Sequence, residues 1–185
     1  MKKALLIAAA ILFVASALNA NAYIGIWNDI GHQVCSVAAT TPYSTFSGYL
    51  MAYPPEIGMK SVECSVQIPT TVYKIGEVAN PDINLTMIHA NGLGYGGTWN
   101  FATCHNDWTY VYQWTFLIYN VPPGPVPVVD VITIGPHYGA VPVAANMATC
   151  LVTKIQPTLL THLYINQPCE YAVEEASWGA IKSMF

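Results

Sequence analysis

The sequence predicts an all-β fold: an antiparallel β-sandwich, immunoglobulin-like or jelly-roll, that ends in a short C-terminal helix. Three observations lead there. Apolar and polar residues alternate with a period of two over long stretches, the pattern of half-buried strands. Segments rich in Pro and Gly interrupt that alternation repeatedly, where a ladder must stop. Helical spacing of apolar residues is confined to the last residues of the chain.

In "MKSVECSVQIP", Val62, Cys64, Val66 and Ile68 share one face, with Ser61, Glu63, Ser65 and Gln67 on the other. In "DWTYVYQWTFLIYNV", Trp108, Tyr110, Tyr112, Trp114, Phe116 and Ile118 share a face opposite Thr109, Val111, Gln113, Thr115, Leu117 and Tyr119. Its length and its β-branched and aromatic content mark a central strand. Further strands are expected at "AYIGIWN", "TFSGYLMAY", "TVYKIGEV", "INLTMIHA", "GTWNFATC", "VPVVDVITI", "TCLVTKI" and "HLYIN". Turns fall at "YPPEIG", "NPD", "NGLGYGG", "PPGPVP" and "IGPHYGAVP". The immunoglobulin fold proper wants a Trp about a dozen residues after its first core cysteine; the stretch after Cys35 offers Tyr49 instead. The segment Pro122 to Asp130 reads as a stiff connection within one domain, and no internal repeat is visible.

The chain opens with Lys2 and Lys3, an apolar run from Ala4 to Leu18 and the small-residue site Ala20-Asn21-Ala22. That is the layout of a secretory signal peptide, and the run is short for a bilayer span of about 20 residues. The expected organisation is a signal peptide over 1–22, a β-sandwich domain over 23–170 with the mature chain starting at Tyr23, and a helical tail over 171–185. Without the signal's two lysines, four lysines and no arginine stand against ten acids. Neutralising a phosphate backbone needs clustered Lys or Arg, so nucleic acid is excluded, and anionic membrane surfaces are disfavoured. Charged residues make up 9% of the chain, against about a quarter in ordinary soluble domains. Little like-charge repulsion opposes self-association.

Export places the five cysteines where disulfides persist. Loop length favours Cys150 with Cys169 and Cys35 with Cys64, leaving Cys104 over, although fifteen arrangements of two bridges exist on combinatorial grounds. The five histidines form no metal-binding spacing with one another or with cysteines, and neither a metal nor a cofactor is expected. The densest polar cluster is Cys104, His105 and Asp107, which a Cys-His nucleophile could use and which a turn explains equally well. "NGLGYGG" lacks the lysine and helix of a phosphate cradle. Asn84-Leu85-Thr86 matches a glycosylation sequon. Twelve tyrosines and five tryptophans allow sugar stacking, but aromatics that alternate along a strand are chiefly core material. An outer-membrane barrel shares the leader and the terminal Phe, but the last residues do not alternate as a closing strand would.

The tail "EEASWGAIKSMF" carries Glu174 and Glu175 at its expected start and Lys182 near its end, as the helix dipole favours. Trp178, Ile181 and Phe185 then line one side, with Met184 beside them. So short a helix is marginal alone in water, so this stripe is expected to order only against a surface. That surface is its own domain or a partner.

Three features together, Ile24 to Trp27, Cys104 with Asp107-Trp108, and Ser177 to Phe185, resemble a set of uncharacterised exported bacterial proteins. Those proteins end in Ser/Thr-Trp-Gly-x-Ile/Val-Lys-x-x-aromatic. The resemblance implies export and a shared terminal element, and it brings no catalytic residue. The functional expectation is a secreted, non-enzymatic structural or interaction protein. It would act outside the cell or at its surface, with the periplasm as the other compartment that fits, and its tail would serve as cap, docking element or sorting element. The alternatives are a small carbohydrate- or ligand-binding module and, behind it, an enzyme built on Cys104, His105 and Asp107 or the outer-membrane barrel.

Overall fold

The structure, a computed structural model, describes residues 22–39, 41, 43–91, 94–119, 129–137 and 144–169. The expected leader up to Asn21, the "PPGPVPVVD" connection through Val128 and the tail with Trp178, Ile181, Met184 and Phe185 lie outside the described residues.

Every regular element among the described residues is a strand. In chain order they are β1 Tyr23–Trp27, β2 Ser36–Val37, β3 Thr45–Tyr53, β4 Met59–Gln67, β5 Val72–Ala79, β6 Ile83–Asn91 and β7 Gly94–His105. The remainder are β8 Thr109–Ile118, β9 Asp130–Gly135, β10 Asn146–Thr149, β11 Lys154–Ile155, β12 Leu159–Thr161 and β13 Leu163–Ile165. One sheet has five strands in the order β12-β1-β3-β8-β5. The other has eight: β11-β10-β4-β9-β13-β2, with β7 along the second edge of β4 and β6 outside β7. One edge of β4 is shared, with β10 taking Met59 to Glu63 and β9 taking Ser65 to Gln67. Tyr23, where the mature chain is expected to begin, opens β1.

Period-two alternation explains the core. The inward residues of β4 (Val62, Cys64 and Val66) and of β8 (Trp114, Phe116 and Ile118) meet Ile24, Ile26, Leu50, Trp99 and Phe101 between the sheets. Fully burying such a side chain contributes about 1.5–3 kcal/mol, so this layer dominates stability.

Several expectations need correction. The sheets are mixed, because β1 pairs with β12 and β13 with β2 in parallel. These short strands come from opposite ends of the domain, so no hairpin dictates their direction. "TCLVTKI" is not one strand: Cys150 and Leu151 turn the chain between β10 and β11. "NGLGYGG" contributes Gly94 to Gly97 to β7, which shortens the expected loop. In β8, Leu50 faces Tyr112 while Met51 faces Tyr110, so Val111 is an extra, bulged residue. The bulge reverses the phase of the strand: Tyr112, Trp114, Phe116 and Ile118 stay in the core, and Trp108 and Tyr110 belong to a second cluster on the outside.

The bridges are Cys35–Cys169 and Cys104–Cys150, with Cα separations of 5.6 and 5.8 Å. The expected partnerships Cys150–Cys169 and Cys35–Cys64 do not form. Strand phase sends Cys64 into the inter-sheet core, whereas Cys35 and Cys169 lie in the second cluster. Cys64 is free and buried; burial, and then the charge of Glu63, push its thiol far above the ordinary range, so it stays protonated and unreactive. Gly58 has φ +74°, and a Cβ there would stand 2.8 Å from the sulfurs of both Cys104 and Cys150. Only glycine fits that turn against the bridge.

Candidate functional site

The Cys104, His105, Asp107 cluster does not assemble a nucleophile. Cys104 is held in its disulfide. His105 ends β7, with Nε2 2.8 Å from Asp82 Oδ2. Asp107 lies in the turn before β8, where Oδ1 accepts the N–H of Trp108 at 2.7 Å. Asp82 also accepts from Thr103, from Oγ1 at 2.7 Å and from the backbone N–H at 3.0 Å. The Thr103 hydroxyl first and its amide second, with His105 adding to them, hold the Asp82 carboxyl down to about 2. This group fastens the β5–β6 turn to the end of β7. Among the described residues, no three His, Cys, Asp or Glu side chains stand together as a metal site.

The distinctive surface is the outer face of the five-stranded sheet. Strands β1, β3, β8 and β12 contain no charged residue. The two charges of β5, Lys74 and Glu77, lie opposite Phe116 and Trp114, whose side chains face the core, and they pair with each other. Register therefore leaves the outer face uncharged and rich in Tyr and Trp.

One end of that face is a packed aromatic nest. Asp29 Oδ1 accepts the N–H groups of Val34 at 2.7 Å and Gln33 at 3.1 Å, and Asn28 N–H donates to the Val34 carbonyl at 2.7 Å. This closed loop carries His32, at φ 50°, onto Trp108, where the rings stack at 4.1 Å. Trp27 meets Trp108 edge-on at 5.2 Å, and Tyr53 lies 5.2 Å from it. Trp27 folds back over Gly25, where a Cβ would stand 2.4 Å from its ring.

The opposite end is open. Tyr43, Tyr73 and Tyr119 are each more than half exposed (66%, 54% and 55%). Tyr119 holds Tyr73 at 5.3 Å and Tyr43 at 6.2 Å, both edge-to-face. Val78 extends the patch along β5, and Ile75, at the register shift between Lys74 and Gly76, is also more than half exposed. Between the ends lies a row of small residues: Thr115 of β8 is flanked by Ser47 of β3 and Gly76 of β5. Reading the sequence placed Trp108 and Tyr110 in the core and did not single out Tyr43, Tyr73 or Tyr119. The available signal was the absence of charge from whole strands.

The outer face of the other sheet is different. Ser61, Ser65, Gly96, Thr98 and Asn100 make its centre small and polar, while Leu85 and Met87 of β6, in register with Asn100 and Thr98, are exposed toward its edge. Glu63 sits in its middle, with Oε2 2.8 Å from Lys154 Nζ and Oε1 3.8 Å from His137 Nδ1.

No family model matches the chain, and no curated protein matches it in sequence. Solved structures do match in fold. A cohesin–dockerin complex of Clostridium thermocellum, Coh-OlpC with Doc435, aligns with TM-score 0.59 at 11% identity, over 78% of this chain and 92% of the other. A non-cellulosomal cohesin from the archaeon Archaeoglobus fulgidus aligns with TM-score 0.54 at 8% identity, over 86% and 98%. CaCohA2 from Clostridium acetobutylicum aligns with TM-score 0.55 at 9% identity, over 82% and 96%. The likeness is one of fold: a two-sheet β-sandwich with the architecture of cohesin domains.

Proposed function

We propose that this chain is a non-enzymatic, extracellular protein-interaction module that docks a protein partner through the outer face of its five-stranded sheet. The carrying observation is that uncharged face with exposed Tyr43, Tyr73 and Tyr119. Interface cores are depleted of charge and enriched in Tyr, Trp and Met, and such aromatic anchors supply most binding energy. Export is supported by the leader pattern and by two disulfides, which persist in oxidising compartments. Several of the structures it resembles in fold are cohesins in complex with dockerins, which is in keeping with a binding role for this sandwich.

A sugar platform fits less well. The Tyr trio is edge-to-face rather than coplanar, and His32 covers one face of Trp108. The tail, with Trp178, Ile181, Met184 and Phe185, is proposed as a second docking or sorting element. Its root at Cys169 belongs to the cluster that holds half-buried Tyr49, Trp108 and Tyr110.

Photo-crosslinking in the producing cell tests both statements. A benzophenone side chain at Tyr119 is expected to give protein adducts, while one at Gln67 on the other sheet gives few. Adducts from Gln67 alone would move the docking surface to the eight-stranded sheet. In a chain lacking 177–185, the Tyr119 adducts should persist while the protein changes compartment; unfolding would make the tail a cap instead.

A further inference from the structure

The docking reading leaves the occupant of the face open, and the face itself names one. We propose that it is a second copy of this chain, stacked sheet against sheet about a two-fold axis; the proposal rests on the docking reading above.

The face is patterned as large and small rows running across the strands. Tyr43 and Tyr119 form one row, Thr45, Leu117 and Tyr73 the next, then the small row of Ser47, Thr115 and Gly76, then Tyr49, Gln113 and Val78. A two-fold axis lying in the interface, parallel to the rows and between the Tyr73 row and the small row, sets each Tyr73 row on the small row of the other copy. The same rotation sets Tyr43 on Tyr49 and Tyr119 on Gln113. Each contact occurs twice, as a self-complementary two-fold interface requires.

Gly76 leaves room in the small row. It follows the register shift between Lys74 and Gly76, where a strand glycine is expected. A Cβ built there meets nothing closer than Thr115 at 3.5 Å, so the row has space for a side chain of the other copy.

Size and charge agree. Strands β12, β1, β3, β8 and β5 have 3, 5, 9, 10 and 8 residues, which at about 3.3 Å per residue and about 4.8 Å between strands give a face of roughly 550 Å². Two copies would bury about 1,100 Å² in total, just above the roughly 1,000 Å² that a specific interface needs. No charged strand residue faces outward on this side, so none must lose water there, and the exported chain, with four lysines against ten acids, carries a modest formal net charge of −6.

The experiment is sedimentation of the purified exported chain at about 100 µM, where association with a micromolar Kd is nearly complete. The expected result is a dimer. Gly76→Trp fills the small row without an internal clash and should weaken the dimer at least tenfold while the melting midpoint stays close to that of the wild type. Thr115→Lys should do the same by placing a charge in the row, and it serves if Gly76→Trp folds poorly. Gln67→Lys on the opposite sheet should leave the dimer intact. A monomeric wild type, or a dimer indifferent to Gly76→Trp and Thr115→Lys, overturns the proposal. If the wild type is monomeric while Tyr119 crosslinks to a different protein in cells, the second copy is refuted and the docking face stands. If Tyr119 crosslinks to nothing, both fall.

Discussion

The two outer faces of this sandwich share one core, and their surfaces follow different rules. The five-stranded sheet turns out tyrosine and tryptophan with no charge in four of its strands. The eight-stranded sheet turns out Ser, Thr, Asn and Gly around one Glu63–Lys154 pair, with exposed Leu85 and Met87 toward its β6 edge. Water satisfies the centre of the second face readily, since small polar groups and a partly exposed ion pair lose little by staying hydrated. Aromatic area remains in water on the first. A chain this poor in charge could have spread Tyr and Trp over both faces; concentrating them on one argues for a covered surface there.

The largest effect should come from the aromatic nest. Gly25→Val would place a Cβ 2.4 Å from the Trp27 ring and 2.7 Å from Thr161 Cβ. Overpacking of that kind costs about 1–3 kcal/mol. Because Trp27 supports Trp108, the variant should also loosen the packed end of the face. A urea titration should show a lower midpoint with little change in slope. A neutral result would mean that Trp27 can leave Gly25 freely, and the contrast between a built face and a solvated one would weaken.

A smaller effect is expected on the other sheet. Glu63→Gln keeps the shape and removes the charge facing Lys154, whose side chain is 41% exposed. Pairs this open to solvent contribute up to about 1 kcal/mol and are screened by salt. The expected loss is below that figure and should shrink in high salt, with the Tyr119 crosslinks unchanged. A larger, salt-independent loss would show that the polar face carries structural weight of its own.

How much of this could be read from sequence differs between the two faces. The segment "TFSGYLMAY", expected as a strand, is β3, and alternation in β4 puts Val62, Cys64 and Val66 on one face, which lies in the core. In the aromatic strand, alternation continues without a break through Trp108 and Tyr110. The bulge at Val111 left no mark there, because both phases read as apolar. Tyr43 precedes β3, Tyr73 lies in β5 and Tyr119 follows β8, so only pairing across β3, β8 and β5 unites them. Loop length misassigned the cysteines, because the bridges follow where strand ends meet in space. The tail's role stays a proposal: its residues lie outside those described.

The smallest effect lies at the seam between the two sheets, where Asp82 after β5 grips Thr103 and His105 at the end of β7. Thr103's hydrogen bonds lower the folded-state value of this carboxyl to about 2 from an ordinary 3.8. A depressed carboxylate contributes its stability in full above the unfolded value and loses it as pH falls through the folded value. Stability from Asp82 should therefore be constant above about pH 4 and fade between about pH 4 and pH 2. Asp82→Asn removes that slope, so melting midpoints of variant and wild type should converge as pH drops through this window. Parallel curves would show that the Thr103 and His105 contacts do not persist in solution, and that the seam is held by the Cys104–Cys150 bridge and strand pairing instead.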